Sequence, residues 1–219
     1  MSRIVAILLF LGLPFISCQR DSLRIIDKPI DFSEKRIGLT KEYIRQHYGL
    51  DPEDITITPR IIVLHWIETN DFQEAYNILK PETIQYGGIV ARAGNLNVSA
   101  HFLVDRDGTV YRLMKETWMA RHVIGLNYYS IGVENVGGAG GVDNMTEQQI
   151  EANARLVRYL VKKYPSIKYL IGHFEYTQME HTPYWLEKDS TYRTVKTDPS
   201  EAFMEAVRSR VKDLHLAKP

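Results

Sequence analysis

The sequence predicts an α/β fold, a mixed central β-sheet flanked by helices, and three features predict it. Three short runs, Arg60–His65, Ser130–Val136 and Tyr169–Ile171, are rich in β-branched and apolar residues, the pattern of strands buried on both faces. An Asp107-Gly108 turn separates two further β-rich runs and marks a hairpin. Other segments repeat apolar residues at helical spacing. Strands and helices mixed in this way give a sheet covered by helices.

Each element has its own signal. Thr40 precedes KEYIRQHYG, a short helix that Gly49 ends, and Asp51-Pro52-Glu53 follows as a turn. Arg60–His65 is the first strand. Asn70 is placed to cap a helix from Asp71 to about Leu79, with Phe72, Ala75, Ile78 and Leu79 on one side and Pro81 as its stop. His101–Asp105 and Thr109–Leu113 are the arms of the hairpin, and Ser130–Val136 is the next strand. Thr146 with Gln149 forms a capping box that opens a long helix to about Lys163. Ile150, Ala154, Val157, Val161 and Tyr164 form its apolar stripe. Tyr169-Leu170-Ile171 runs into Gly172-His173. A last helix begins near Pro199 and buries Phe203, Val207, Val211 and Leu214.

Composition excludes several classes. The 219 residues carry 27 Lys+Arg and 27 Asp+Glu, a net charge of zero. A nucleic-acid-binding domain is usually basic, so no nucleic-acid partner is expected. Cys18 is the only cysteine, which rules out an intrachain disulfide and a cysteine-based zinc cluster.

The N-terminus reads as an export signal. Arg3 is a short basic region, Ile4 to Ile16 is apolar with a Gly-Leu-Pro interruption, and small residues lead to Cys18. The run is shorter than the ~20 residues of a spanning helix. Phe15-Ile16-Ser17-Cys18 resembles a bacterial lipobox, with Phe15 where Leu is usual; the alternative is a plain cleaved signal with an incidental cysteine. The expected organisation is a signal peptide over 1–17, a lipid-anchor tether from Cys18 through 34, and one domain over 35–219. The domain is expected in the cell envelope, as an outer-membrane lipoprotein facing the periplasm, held by its N-terminal lipid and acting as a monomer.

Seven histidines offer chemistry: His47, His65, His101, His122, His173, His181 and His215. His65 ends a buried strand and His173 follows another, at points where a sheet opens into loops and sites are built. Two imidazoles and one carboxylate make a catalytic zinc site with a fourth position open. Asp198, in the loop before the last helix, supplies a carboxylate. Spacing alone does not join these residues, because they share no local motif such as HExxH. His47, His181 and His215 read as structural or incidental.

Five segments in order resemble the type 2 N-acetylmuramoyl-L-alanine amidases, the family of the peptidoglycan recognition proteins. They are Val63-Leu64-His65-Trp66, Ser99 to Gly108, Ala120-Arg121-His122 through Ser130-Ile131-Gly132-Val133-Glu134, Ile171-Gly172-His173, and Lys196 to Phe203. With the lipobox, the chain looks most like the lipoprotein branch of that family. The resemblance implies the family's fold and a zinc-dependent hydrolase. The bond cut would join the lactyl group of N-acetylmuramic acid to L-alanine, in peptidoglycan or muropeptides. It implies His65, His173 and Asp198 as zinc ligands, Glu134 and Lys196 as catalytic residues, and His122 and Asn127 near the bound substrate. His101 is implied to be structural. A non-catalytic peptidoglycan-binding module and a zinc hydrolase of another amide are the alternatives.

Two departures from the family stand out. Asp198 follows His173 by 25 positions, longer than is usual. The added segment, 174–195, carries Tyr176, Tyr184, Trp185 and Tyr192, which can stack on sugar rings or pack the insert down. Arg121 stands where Trp is common, and a changed glycan contact is expected there. The Gly137–Gly141 run lacks the lysine and spacing of a phosphate loop and reads as a flexible connection.

Overall fold

A computed structural model describes residues 23–219. The expected signal segment, Cys18 and the start of the tether lie outside the described residues. Among the described residues, no helix is long and apolar enough to cross a membrane.

Among the described residues, six strands form one sheet: β1 (Ile25–Asp27), β2 (Ile61–Leu64), β3 (Phe102–Val104), β4 (Val110–Arg112), β5 (Ser130–Asn135) and β6 (Tyr169–Gly172). Their order is β1-β4-β3-β5-β2-β6. Only the β3–β4 hairpin is antiparallel; the other pairings are parallel. The helices are α1 (Glu34–Tyr43), α2 (Phe72–Leu79), α3 (Ile89–Arg92), α4 (Glu147–Lys163) and α5 (Glu201–Arg210). The mixed sheet flanked by helices is the fold that the sequence predicts.

Strand alternation divides the sheet into two faces. Ile62, Leu64, Ile131, Val133 and Leu170 point to one face and pack under α4 and α5 with Leu156, Val157, Leu160, Phe203 and Val207. Ile61, Val63 and Ile171 point to the other, against Tyr43, Ile44, Tyr48 and Met119. The residues alternating with Ile131 and Val133 are Ser130, Gly132 and Glu134, so these lie on the second face.

Several boundaries differ from expectation. Ile25–Asp27, inside the expected tether, pairs with β4 as an edge strand, and Leu23 and Ile25 pack on the core. Three residues are too few to show a period, and only the partner strand makes them one. The first helix begins seven residues before Thr40 could start it, because Ser33 caps it by accepting from the Lys35 N–H at 3.1 Å. It runs through one π-helical segment, Ile44–Tyr48, to Gly49, whose φ of 62° a glycine adopts freely. Asp71, not Asn70, caps α2, accepting from the Glu74 N–H at 2.7 Å. Ser200 caps α5 through the Phe203 N–H at 3.0 Å, which leaves Pro199 just outside the helix.

Helix α4 has the expected capping box between Thr146 and Gln149. Its deepest line, however, runs through Gln149, Asn153, Leu156 and Leu160. Two members are polar, so hydrophobicity alone misplaces the centre of the buried face. Both are satisfied: Gln149 Nε2 donates to the Val136 carbonyl at 2.8 Å, and Asn153 Nδ2 donates to Asn135 Oδ1 at 2.7 Å.

Candidate metal centre

Parallel register assembles the centre. Leu64 lies opposite Val133 on β5 and opposite Gly172 on β6. The next residue along each strand is therefore His65, Glu134 and His173, side by side at the carboxyl ends of three adjacent strands. That edge is where open α/β sheets place ligands. The His65 backbone is fixed on both sides: its N–H donates to the Val133 carbonyl at 2.9 Å, and its carbonyl accepts from the Asn135 N–H at 3.1 Å.

Asp198 arrives from the loop before α5. The Phe174 N–H donates to the Asp198 carbonyl at 2.8 Å, which ties the aspartate to the end of β6. Glu175 fixes the turn after His173 by accepting from the Gly172 N–H at 2.8 Å while paired to Arg208 of α5.

Three ligand-type atoms converge. His65 Nδ1 and His173 Nδ1 are 2.9 Å apart, His173 Nδ1 and Asp198 Oδ2 are 3.0 Å apart, and His65 Nδ1 and Asp198 Oδ2 are 3.4 Å apart. All three residues are buried. Zinc bonds of about 2.0–2.1 Å at a tetrahedral angle hold ligand atoms about 3.3 Å apart, close to this triangle. Burial pushes His173 down to about 4, with the neighbouring His65 acting the same way and Asp198 opposing. Burial alone would raise the Asp198 carboxyl, but His173 and His65 outweigh it and hold it well below the usual range. The donor set is thus an unprotonated imidazole and an ionised carboxylate beside a second imidazole, the forms that bind a divalent metal.

Glu134 faces the triangle, with Oε1 4.0 Å from His65 Nδ1. Its other oxygen is buried without a hydrogen-bond partner among the described residues. Burial is the largest influence and, with Asp198 and Glu68, pushes this carboxyl up to about 7 against the opposing pull of His65 and Lys196. Lys196 is half-buried and lines a cavity of about 60 Å³ together with His122, His173 and Thr194.

The two residues expected at the substrate both border this cavity. Asn127 is fully buried. Its Oδ1 accepts from the His122 and Val123 N–H groups, both at 2.8 Å, and its Nδ2 donates to the Tyr48 hydroxyl at 3.0 Å. These bonds make its amide hold the loop, at the wall of the same cavity. His122 is also buried, with one ring nitrogen 3.0 Å from His65 Nε2 and the other 3.1 Å from Ser130 Oγ. It contacts a centre residue directly. Ser130 was not singled out by the sequence, although its alternation with Glu134 along one strand carried the signal.

Arg121 does not reach outward either. It is buried, and its guanidinium donates to the carbonyls of Val90, Ala93, Gly94 and Leu96 and to the Tyr192 hydroxyl. The insert aromatics pack the insert down. The Tyr176 hydroxyl donates to the Thr194 carbonyl at 2.7 Å, and Trp185 covers Gly125, where a Cβ would lie 2.7 Å from the indole. His101 is structural, accepting from the Gly132 N–H at 3.0 Å and meeting the Trp118 carbonyl at 2.8 Å. His47 pairs with buried Glu187 at 3.0 Å. The Gly137–Gly141 loop is shaped by positive φ at Gly137, Gly138, Gly140 and Gly141, with Trp66 packed over Gly138.

The mixed sheet thus carries a buried His-His-Asp group at its carboxyl edge. Residues 55–201 match the family model described as N-acetylmuramoyl-L-alanine amidase, and the chain belongs to that family. It is 37% identical over 62 residues to N-acetylmuramoyl-L-alanine amidase A of Achromobacter lyticus, a match covering 28% of this chain and 35% of that protein. The chain thus spans about a third of that relative's length. Among solved structures it resembles the N-acetylmuramoyl-L-alanine amidase LysC of Clostridium intestinale, with a TM-score of 0.54 at 20% identity over 89% of this chain and 99% of that one. The endolysin amidase LysCS of the same organism gives 0.55 at 20% identity, covering 90% and 98%. These two likenesses bear on the fold.

Proposed function

We propose that the protein is a zinc-dependent N-acetylmuramoyl-L-alanine amidase acting on peptidoglycan or muropeptides. The observation that carries this reading is the buried convergence of His65 Nδ1, His173 Nδ1 and Asp198 Oδ2, with Glu134 alongside. These three residues would hold the ion. When bound, zinc acts as a Lewis acid and brings water toward ionisation near neutral pH.

The chain's own residues supply the rest. Glu134, whose carboxyl is pushed up to about 7 by burial, can accept a proton from water at neutral pH and return it to the leaving amine nitrogen. Lys196 places an ammonium group at the same cleft, where it can stabilise negative charge developing on the carbonyl oxygen.

The sequence of residues 1–18 supports a further part of the reading, that Cys18 is acylated and anchors the domain to the periplasmic side of the outer membrane. Incorporation of a tagged fatty acid, lost in Cys18→Ser, tests that part.

The central test is incubation of the purified protein with muropeptides, with and without a chelator, and mass analysis of the products. Free stem peptide is expected without chelator, none with it, and none from His173→Ala. Unchanged release by His173→Ala would overturn the assignment.

A further inference from the structure

We infer that His122 and Ser130 are positioning residues of the metal centre, forming a directional hydrogen-bond chain that sets the tautomer of His65. The inference rests on the reading of His65, His173 and Asp198 as a metal site.

The direction of the chain follows from its far end. Ser130 Oγ lies 2.9 Å from the Leu126 carbonyl, which can only accept, so the hydroxyl donates there. The hydroxyl oxygen then accepts from His122 Nε2 at 3.1 Å, and that nitrogen carries the ring proton. Among the described residues no carboxylate touches His122, and a buried imidazole without a counter-charge is neutral. Its Nδ1 is therefore a lone pair, and among the described residues the only group in front of it is His65 Nε2 at 3.0 Å. His65 must donate from Nε2, which leaves Nδ1 unprotonated and directed at His173 and Asp198. Each link is forced by the one before it.

The surroundings are shaped to hold this chain. The Asn127 carboxamide oxygen accepts from the His122 and Val123 N–H groups and fixes the His122 backbone. Gly132 lies beside the ring, where a Cβ would stand 2.6 Å from His122 Cγ. Only glycine lets the imidazole lie flat against β5. His173 has no comparable support: among the described residues its Nε2 makes no hydrogen bond. The bias toward a ligand-ready form is built on the His65 side alone.

Outer partners of this kind typically change metal affinity by about 10–100-fold. Full-length protein is stripped of metal, and zinc affinity is measured by competition with a chromophoric chelator. His122→Leu, which fills the space without an acceptor, is expected to bind zinc about 10–100-fold more weakly. His122→Asn, whose carbonyl oxygen can replace Nδ1, is expected to recover most of the loss. Ser130→Ala removes one hydroxyl and guards against misfolding of the larger change; it should weaken binding by a few-fold. In the metal-free protein, nitrogen-15 spectra should show His65 protonated at Nε2 and shifted toward a tautomer mixture in Ser130→Ala. Folded His122→Leu with wild-type zinc affinity, or His65 protonated at Nδ1 in the wild type, overturns the inference. Failure of the wild type to bind zinc at all would instead overturn the metal-site reading on which it rests.

Discussion

Glu134→Gln should stabilise the metal-free protein, and only above acidic pH. Glu134 sits among His65, Asp198 and Glu68 with one oxygen buried and unpartnered, and its carboxyl is pushed from 4.5 to about 7. In the unfolded chain the proton leaves near the ordinary carboxylate value; in the fold it stays until about 7. Between those points the folded state binds more protons, so stability falls as pH rises. Below 4.5 both states are protonated and the residue is neutral in effect. Above 7 the full penalty is present, about 3 kcal/mol at about 1.4 kcal/mol per tenfold change in acidity. Gln has the shape of the protonated acid and never ionises. Urea unfolding of chelated wild type and Glu134→Gln from pH 4 to 8 should give curves that coincide at the acid end and separate by about 3 kcal/mol at pH 8. In melting temperature that is roughly 6–12 °C for a domain of this size. Zinc should shrink the gap, because a cation beside the carboxylate favours its charged form. A gap independent of pH would refute the reasoning, since a simple packing change has no reason to follow the titration of one group.

Other expectations separate chemistry from structure. Lys196→Met should lower turnover by about 10²–10³-fold, the scale of losing one oxyanion donor, with bound zinc unchanged by metal analysis. Gly132→Ala forces a Cβ to within 2.6 Å of the His122 ring, and should lower both stability, by about 1–3 kcal/mol, and zinc affinity. Glu187→Ala leaves His47 buried without its carboxylate and should destabilise by roughly 3 kcal/mol in urea unfolding. Its zinc affinity should stay within a few-fold of wild type, and a parallel loss of metal would show that the insert shapes the centre.

The fold was legible because it follows from local patterns, whereas His65, His173 and Asp198 were joined only by the family resemblance. Apolar runs marked β2, β5 and β6, and register alone then brings His65, Glu134 and His173 to one edge. What stayed hidden depends on partners far away in sequence. Arg121 is charged and reads as a surface or ligand-facing group, yet a ring of main-chain carbonyls accepts its protons inside the protein. Asn127 and His122 read as substrate contacts by their place in the family pattern. Their bonds to Tyr48 and His65 cross 79 and 57 positions, and nothing in the local sequence announces them. Gln149 and Asn153 hide the buried centre line of α4 for the same reason: polar residues count as exposed until their acceptors are known.

The long insert between His173 and Asp198 poses the opposite question, why the ligand geometry survives it. Closing a longer loop is cheap: each doubling of length costs only about 0.6 kcal/mol. The insert also repays ordering with its own buried anchors, Tyr176, Met179, Tyr192 and Glu187. Its two ends meet at one bond, from the Phe174 N–H to the Asp198 carbonyl, with Ser200 then starting α5 against the core. That bond joins the residue after one ligand to the other ligand itself. The distance between His173 and Asp198 is therefore set by β6 and α5, which pack on each other, and the chain between them can vary in length without moving either group. An insert can then reshape the rim of the cleft while the triangle of His65, His173 and Asp198 at its base keeps its dimensions.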